Sequence, residues 1–324
     1  RGALGLRSAA EGKYLACKAH CSASRRIEGV KRVKDQPHPD FPSDDAVLSR
    51  RRFIGGGAAL VAAVAVPVIA QSQFFDVPFV PTPQVVVDEM LRVAAVGPRD
   101  VVYDLGSGDG RIVISAARKF GAQAIGVELD DELIQQSGES AREANVVERV
   151  KFLQQDFFKT DFSQATVITM YLLPGVMKRL RERMLQLKPG TRLVAHDFDF
   201  ADWRPDHKTT LRKNVFLWIV PARVAGKWQV RTAFPGGQHL FEMELRQKYQ
   251  ELDGYARFDG QPGGLWEPKL DGDRISFMVV DSRDRENEAG LYFVGRVTND
   301  VMEGDVLRGV GNQQTRFKWR AAKL

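Results

Sequence analysis

A glycine-rich loop follows an apolar run in the sequence VVYDLGSGDGR, which begins at residue 101. Gly106, Gly108 and Gly110 stand at alternate positions, and Asp104 precedes the first glycine by two residues. Glycine permits a tight turn and lets a ligand approach the backbone, and a helix that follows presents free N–H groups. The third glycine comes one residue earlier than in the G-x-G-x-x-G pattern of dinucleotide-binding loops. The spacing therefore predicts a ligand that has no phosphate at the loop.

Two acidic residues further along the chain are candidate acceptors for the same ligand. Glu128 ends the next apolar run, where a carboxylate can accept hydrogen bonds from both hydroxyls of a ribose. Asp156 follows the third apolar run, where a carboxylate can accept from an adenine amino group, and Phe157 can flank the ring. The set of residues predicts a ligand that contains a nucleoside.

The elements that must position these residues alternate between strands and helices. Apolar runs predict strands at 100–105, 122–129, 149–156, 165–173 and 191–200, and amphipathic patterns predict helices at 82–97, 110–121, 130–145 and 174–190. Segments on either side of Asn214 predict a terminal hairpin. Residues 76–221 are therefore predicted to form an α/β domain with a doubly wound, Rossmann-like parallel sheet.

Residues 222–324 have a different pattern, because helical periodicity ends near Pro221 and short alternating runs follow. Three Asp-Gly dipeptides, which favour tight hairpin turns, stand at 253–254, 259–260 and 271–272. The pattern predicts a small all-β antiparallel domain that is a barrel or a sandwich.

The D-L-G-x-G-x-G loop and the acidic residue that ends the next strand resemble the first two motifs of the class I S-adenosylmethionine-dependent methyltransferases. The resemblance implies that S-adenosyl-L-methionine is the cofactor. The loop would pass beneath the methionine moiety, Asp104 would bind its amino-acid end, Glu128 the ribose and Asp156 the adenine. The residues predicted to bind the cofactor are Thr82, Asp104, Gly106, Ser107, Gly108, Gly110, Glu128 and Asp156. Another Rossmann-type binder, such as a dehydrogenase, is the alternative.

A closer resemblance covers residues 76–205. PFVPTPQVVVDEML before the loop and VITMYLLPGVMKRLRERMLQLKPGTRLVAHDFDF after it are similar to small lysine methyltransferases that act on mitochondrial membrane proteins, and to their bacterial relatives. The resemblance implies transfer of a methyl group to a protein lysine. It does not include the β-domain.

The candidate catalytic residues are Tyr171, His196 and Asp197, which lie towards the carboxyl ends of the fourth and fifth predicted strands. The carboxyl ends of these strands meet at the edge where an acceptor should enter. Tyr171 could orient or deprotonate an amine, or it could cap the strand. His196 could act as a base, or it could be a structural hydrogen-bonding group. Trp203 could line an acceptor channel, although core packing is the simpler interpretation.

Several acceptors are disfavoured by absent motifs. The fourth strand lacks the Asn/Asp-Pro-Pro-aromatic motif that is typical of enzymes methylating adenine or glutamine. Residues 53–324 contain no cysteine, which excludes the covalent cysteine route to 5-methylcytosine. Lys and Arg equal Asp and Glu in number in that part of the chain, so no net charge attracts nucleic acid. We therefore expect a protein or small-molecule acceptor and no nucleic-acid partner.

The N-terminal segment resembles a targeting sequence. Ser49–Gln73 contains the twin arginine of an S-R-R-x-F-[LI] export signal, followed by an uncharged apolar stretch of 17 residues from Ile54 to Ala70. The predictions are a cleaved bacterial signal for the periplasm or an uncleaved inner-membrane anchor, which could leave the enzyme facing the cytosol. Residues 1–48 are predicted to be disordered or over-translated. Cys17, His20 and Cys21 lie there and offer too few ligands for a zinc site, so no metal is expected.

Three functions remain open from the sequence. The first is a protein-lysine methyltransferase, the second is a methyltransferase for a small molecule or lipid, and the third is a non-catalytic protein that binds the cofactor. The third arises because an export signal would carry the protein away from the cytosol, where the cofactor is made.

Overall fold

The computed structural model describes residues 79–210, 213–234, 237–280, 290–309 and 314–324. The predicted leader and signal segment, residues 1–73, lie outside the described residues, and so do Cys17, His20 and Cys21. Among the helices that the structure describes, none is long and apolar enough to cross a membrane.

The first part of the described chain is a seven-stranded sheet with the order β3-β2-β1-β4-β5-β7-β6. The first five strands in this order are parallel, and β7 runs antiparallel to both β5 and β6. The predicted α/β sheet and its terminal hairpin are therefore confirmed. The strands are β1 Val101–Leu105, β2 Gln123–Glu128, β3 Val150–Gln154, β4 Val167–Met170, β5 Arg192–His196, β6 His207–Thr209 and β7 Val215–Ile219.

Helices cover both faces of this sheet. The helices have apolar sides that pack against the apolar side chains of the strands. The helices are α1 Gln84–Val93, α2 Arg111–Phe120, α3 Asp131–Glu143 and α4 Pro174–Met184. Side chains of α1 and α2 share one core with the sheet, and Met177, Leu180 and Met184 of α4 share another. Pro174 occupies the first turn of α4, where its missing N–H costs no hydrogen bond.

The second part is a closed barrel of eight antiparallel strands, so the predicted all-β domain is a barrel and not a sandwich. The strands are β8 Gly226–Phe234, β9 Gly237–Lys248, β10 Glu251–Phe258, β11 Gln261–Asp271, β12 Arg274–Val280, β13 Leu291–Thr298, β14 Val301–Arg308 and β15 Thr315–Lys323. Pairing of β15 with β8 completes the closure. Aromatic side chains, among them Trp228, Phe277 and Phe293, are buried in its core.

One of the three predicted Asp-Gly turns is wrong. Asp253 and Gly254 lie inside β10, opposite Arg246 and Leu245 of β9. A Cβ atom at Gly254 would stand 2.2 Å from a carbonyl oxygen of β9, so the glycine is needed for close strand approach and not for a turn. Asp259-Gly260 does form a turn, and both residues have positive φ.

The sheet and the barrel contact each other at Trp203, Tyr249 and Gln250. Trp203 is fully buried, and its ring stacks on that of Tyr249, with the ring centroids 5.5 Å apart. The indole N–H of Trp203 donates to Gln250 Oε1 over 2.9 Å. Phe200 and Trp218 pack against the same side chain. Core packing therefore explains Trp203.

Candidate functional site

The glycine loop is held against the end of β2 by backbone hydrogen bonds. The N–H groups of Gly106 and Ser107 donate to the carbonyl of Val127 over 2.9 and 3.1 Å. The N–H of Gly108 donates to Glu128 Oε2 over 3.0 Å. All three loop glycines have positive φ, between +52° and +77°, a region that residues with a Cβ atom rarely adopt. The predicted ribose-binding carboxylate thus also fixes the loop.

Two of the glycines are also required by their neighbours. A Cβ atom at Gly108 would stand 2.1 Å from the ring of Phe79, which lies over the loop. A Cβ atom at Gly110 would stand 2.8 Å from the ring of Phe152 and 2.9 Å from Ser137 Cβ. The third glycine therefore lets the start of α2 pack closely against β3 and α3.

Asp104 is the most perturbed acid of the site. It is buried, and its Oδ1 atom accepts a hydrogen bond from the Thr169 hydroxyl over 2.7 Å. Its Oδ2 atom has no hydrogen-bond partner among the described residues, and neither has the buried hydroxyl of Ser107. Burial raises the pKa of Asp104 to about 7, with a further rise from the Glu128 carboxylate. A buried acceptor with no partner suits a cationic group such as an ammonium.

The segment before α1 joins the glycine loop to the end of β5. The Arg111 guanidinium binds the Asp109 carboxylate, with an Nε–Oδ1 distance of 2.9 Å, and donates from Nη1 to the Thr82 carbonyl over 3.0 Å. The Thr82 hydroxyl lies 3.3 Å from His196 Nδ1. Thr82 is a predicted cofactor ligand, and its hydroxyl contacts the candidate base. Arg111, which directly follows the loop, is not among the predicted site residues.

The loop after β3 is anchored by α4. Asp156 Oδ1 accepts from the Phe158 N–H over 2.8 Å. The Arg183 guanidinium donates to the carbonyls of Phe157, Phe158 and Thr160 over 2.9, 2.5 and 2.7 Å. Arg183 thereby fixes the segment that carries the predicted adenine-binding residue.

The three predicted catalytic residues meet at the ends of β4 and β5. The rings of Tyr171 and His196 have centroids 4.1 Å apart, and the Phe198 ring also stacks with Tyr171, at a centroid distance of 6.2 Å. Asp197 has φ +61°, and its Oδ2 atom lies 3.6 Å from His196 Nε2 and 3.0 Å from Lys213 Nζ. The Asp197 carboxylate therefore lies between an imidazole and an ammonium group.

The electrostatics of this cluster favour a neutral imidazole. His196 is 1% exposed, and burial lowers its pKa, while Asp197 opposes and Lys213 reinforces the change. Its Nε2 atom has no hydrogen-bond partner in the part of the chain that the structure describes. A neutral ring nitrogen without a partner can accept a hydrogen bond or a proton. The roles of the individual site residues stay predictions.

No group of three or more potential metal ligands occurs among the described residues. The candidate site consists of two neighbouring groups of residues with hydrogen-bonding and aromatic side chains. One is the glycine loop with Asp104 and Glu128, and the other is the Tyr171–His196 pair. Both lie at the carboxyl edge of the parallel strands, where ligands bind in open α/β sheets.

The strand order 3-2-1-4-5-7-6 with an antiparallel seventh strand, together with the glycine loop after β1, defines a class I S-adenosylmethionine-dependent methyltransferase. A family model described as the ANTKMT methyltransferase domain matches residues 104–207. The match ends before the barrel.

Proteins with similar sequences indicate which methyltransferases this chain resembles. A protein-lysine N-methyltransferase of Saccharolobus islandicus is 46% identical over 151 residues, which are 44% of this chain and 94% of that protein. A mouse lysine N-methyltransferase that is named for a component of ATP synthase is 37% identical over 158 residues, 48% of this chain and 63% of that protein. A crystal structure of an RNA methyltransferase from Salinibacter ruber with S-adenosyl-L-homocysteine is 49% identical. It covers 45% of this chain and 96% of that chain, with a TM-score of 0.44.

The chain belongs to the protein-lysine N-methyltransferase family, and its cofactor is S-adenosyl-L-methionine. The residues present fit this cofactor, because the buried Oδ2 of Asp104 and the hydroxyl of Ser107 have no partners among the described residues and can bind a charged amino-acid end.

Proposed function

We propose that the protein methylates the side-chain amine of a lysine in a partner protein. The observation that carries the proposal is the buried Nε2 atom of His196, which has no partner within the described chain and lies beside the Tyr171 ring. Thr82 connects this histidine to Arg111, the residue that follows the glycine loop. The names of the relatives support the same acceptor class, since several of the similar proteins are lysine N-methyltransferases.

The cofactor is proposed to lie along the glycine loop. Asp104 would bind the methionine ammonium, Glu128 the ribose hydroxyls and Asp156 the adenine amino group. The bound cofactor supplies an electrophilic methyl group on a sulfonium centre. Phe79, which covers Gly108, would shield this region from water.

The acceptor lysine must lose a proton before its nitrogen can attack. The neutral His196 ring can accept that proton, directly or through the Tyr171 hydroxyl. Thr82 would hold the ring through Nδ1, so that Nε2 stays available as the acceptor atom. The Asp197 carboxylate, 3.6 Å from Nε2, would stabilise the imidazolium that results.

Aromatic walls suit the aliphatic part of a lysine side chain. Tyr171 and Phe198 have nearly parallel rings, with 14° between their planes. Apolar walls also desolvate the entering ammonium and lower its pKa, which favours the neutral nucleophile. A lysine acceptor is therefore favoured over a phosphate-bearing nucleic acid.

We also propose a location from the sequence. Residues 49–73 would act as a bacterial twin-arginine signal or as an inner-membrane anchor, and an anchor would keep the enzyme near membrane proteins. Fractionation of the source cells, with N-terminal sequencing of the mature protein, tests this. An intact N-terminus in the soluble cytosolic fraction would contradict it.

A labelling experiment tests the acceptor class. S-adenosyl-L-methionine with a tritiated methyl group is incubated with the enzyme and with membrane or soluble extract, and label is then measured in protein, lipid and RNA. We expect label in protein, a large loss with Tyr171→Phe, and full labelling with the control Tyr249→Phe, which lies at the contact with the barrel. Label in lipid or RNA, or the absence of any transfer, would refute the proposal.

A further inference from the structure

The outer surface of the barrel has a row of charged residues that the proposed reaction does not use. Five side chains stand directly opposite one another across the neighbouring strands β12, β13, β14, β15 and β8. All five are exposed. In strand order they are Arg274, Arg296, Glu303, Arg320 and Arg231.

The five side chains of the row line an open pocket on the barrel surface, and this pocket has a volume of about 940 Å³. Neighbouring strands are about 4.8 Å apart, so four intervals make the row roughly 19 Å long. Two glycines directly opposite each other lie beside it. A Cβ atom at Gly304 would stand 2.1 Å from the Val294 oxygen, and one at Gly295 would stand 2.5 Å from the Glu303 oxygen. The glycines therefore permit the close backbone approach at which the surface curves.

The positive charge of the row is only partly compensated. Arg296 contacts Asp273 over 2.5 Å, and Arg320 lies 3.6 Å from Glu303, with both of the latter side chains well exposed. Arg231 and Arg274 have no ion-pair partner within the described residues. Arginines also face each other directly at two places in the row, and like charges in such pairs destabilise a sheet. An anion that bridges the pairs would remove this repulsion.

We propose that this basic row, Arg274 to Arg231, binds an extended acidic segment of a partner protein. A guanidinium can bind a carboxylate through two parallel hydrogen bonds, and about six extended residues span 19 Å. A peptide can place its carboxylates opposite the arginines and uncharged residues opposite Glu303. A nucleic-acid strand carries a phosphate on every nucleotide. Some of these phosphates would therefore lie close to the carboxylates of Glu303 and Asp305, which would repel them.

The exposed side chains of the surface also argue against single-stranded nucleic acid. Such binding normally uses exposed aromatic rings on which bases stack. The aromatic residue that lines this surface, Trp319, is 3% exposed, and its indole N–H is bound to the Val294 carbonyl. An acidic polypeptide is therefore the occupant that the surface fits best.

Fluorescence anisotropy with the full chain and a labelled peptide, in which two serines separate two runs of glutamate, tests the proposal. Arg231→Ser with Arg274→Ser should weaken binding about tenfold, because two charge-assisted contacts are lost without leaving a partner unpaired. The control, Arg246→Ser with Arg257→Ser, removes equal charge from β9 and β10 and should change affinity less than about twofold. Glu303→Gln should tighten binding, which a folding defect could not cause.

Three results would overturn the proposal. The first is equal weakening in the two double variants, which would mean non-specific attraction. The second is tighter, row-dependent binding of an oligouridylate of the same charge, which would mean a nucleic-acid site. The third is the absence of peptide binding by wild-type protein. Each of these leaves the methyltransferase assay unaffected, since the row lies outside the cofactor and acceptor residues.

Discussion

Replacement of Asp104 by asparagine should change how protein stability depends on pH. Burial raises the pKa of Asp104 from its ordinary value of 3.8 to about 7 in the folded protein. The folded state therefore binds this proton more tightly than the unfolded state does. The resulting stabilisation is fully present below about pH 3.8 and is lost as the pH rises through 7. A shift of about three pKa units corresponds to roughly 4 kcal/mol.

Asp104→Asn cannot ionise, so this loss should disappear. Its amide oxygen can still accept from Thr169. Its NH₂ group would stand where Oδ2 lacks a partner among the described residues, at a pH-independent cost of about 1–3 kcal/mol. We expect the variant to be less stable than wild type at pH 4, where wild type has lost less than about 1 kcal/mol, and at least as stable at pH 8.

Urea denaturation of the cofactor-free protein at several pH values between 4 and 8 measures this effect. Asp109→Asn is the matched control, because it removes a carboxylate from the same loop, and that carboxylate is half-buried and paired with Arg111. That control should keep most of the slope of wild type, because the Asp109 carboxylate makes the smallest of the contributions to the Asp104 pKa. Parallel stability profiles for wild type and Asp104→Asn would refute the reasoning.

Cofactor binding provides a second measurement on Asp104. At pH 6 about nine-tenths of the Asp104 carboxyls should be protonated in the free protein, and a bound ammonium should ionise them. Calorimetry in buffers with different ionisation enthalpies should therefore detect the release of nearly one proton at pH 6 and little at pH 8. Proton release that persists in Asp104→Asn would assign the effect to another group.

Other variants test the remaining assignments. Glu128→Ala should weaken S-adenosyl-L-methionine binding by about 2–4 kcal/mol, because a charged acceptor is lost; unchanged affinity in calorimetry would reject the ribose role. Tyr171→Phe should lower kcat about 10²-fold with an unchanged cofactor Kd, and full activity would remove Tyr171 from the mechanism. His196→Asn should lower kcat and abolish the acidic limb of the pH–rate profile. That limb should lie below pH 6.5, because burial lowers the histidine pKa, and an unchanged profile would make the residue structural. Tyr249→Ala should cost about 2 kcal/mol of unfolding free energy by uncovering Trp203, whereas unchanged urea denaturation would show that the barrel does not support the sheet.

Local patterns predict the parallel sheet well. Buried strands bounded by glycine and charged residues are distinct in sequence, as the strand predicted at 100–105 and found at Val101–Leu105 illustrates. The cofactor loop is recognisable for the same reason, since its glycines meet a local backbone requirement. Sequence alone leaves barrel and sandwich open, because closure depends on the pairing of β15 with β8, almost 90 residues earlier in the chain.

The barrel also contains elements whose local sequence is misleading. The sequence does not predict β11, because Pro262, Gly263 and Gly264 weaken a strand pattern, yet its neighbours β10 and β12 pair with it. In the turn at 249–250, Tyr249 has a φ of +56°. A tyrosine rarely adopts a positive φ, so its presence does not predict a turn. In both places tertiary pairing overrides local preference.

Contacts that complete the site could not be predicted from the sequence for a related reason. The Arg183 contacts with the loop after β3 and the Lys213 contact with Asp197 join residues that are far apart in sequence. Neither Lys213 nor Arg183 belongs to a recognisable motif. Only the fold brings these side chains to the positions that the motif residues define.

The central claim is that this site transfers a methyl group to a lysine side chain. The most direct test is mass spectrometry of an acceptor protein, purified after incubation with enzyme and S-adenosyl-L-methionine whose methyl group is deuterated. We predict a deuterated methyl group on a lysine nitrogen and its loss with Tyr171→Phe, while that variant still binds the cofactor. A deuterated methyl group on another side chain, or on RNA or lipid with unmodified protein, would contradict the claim.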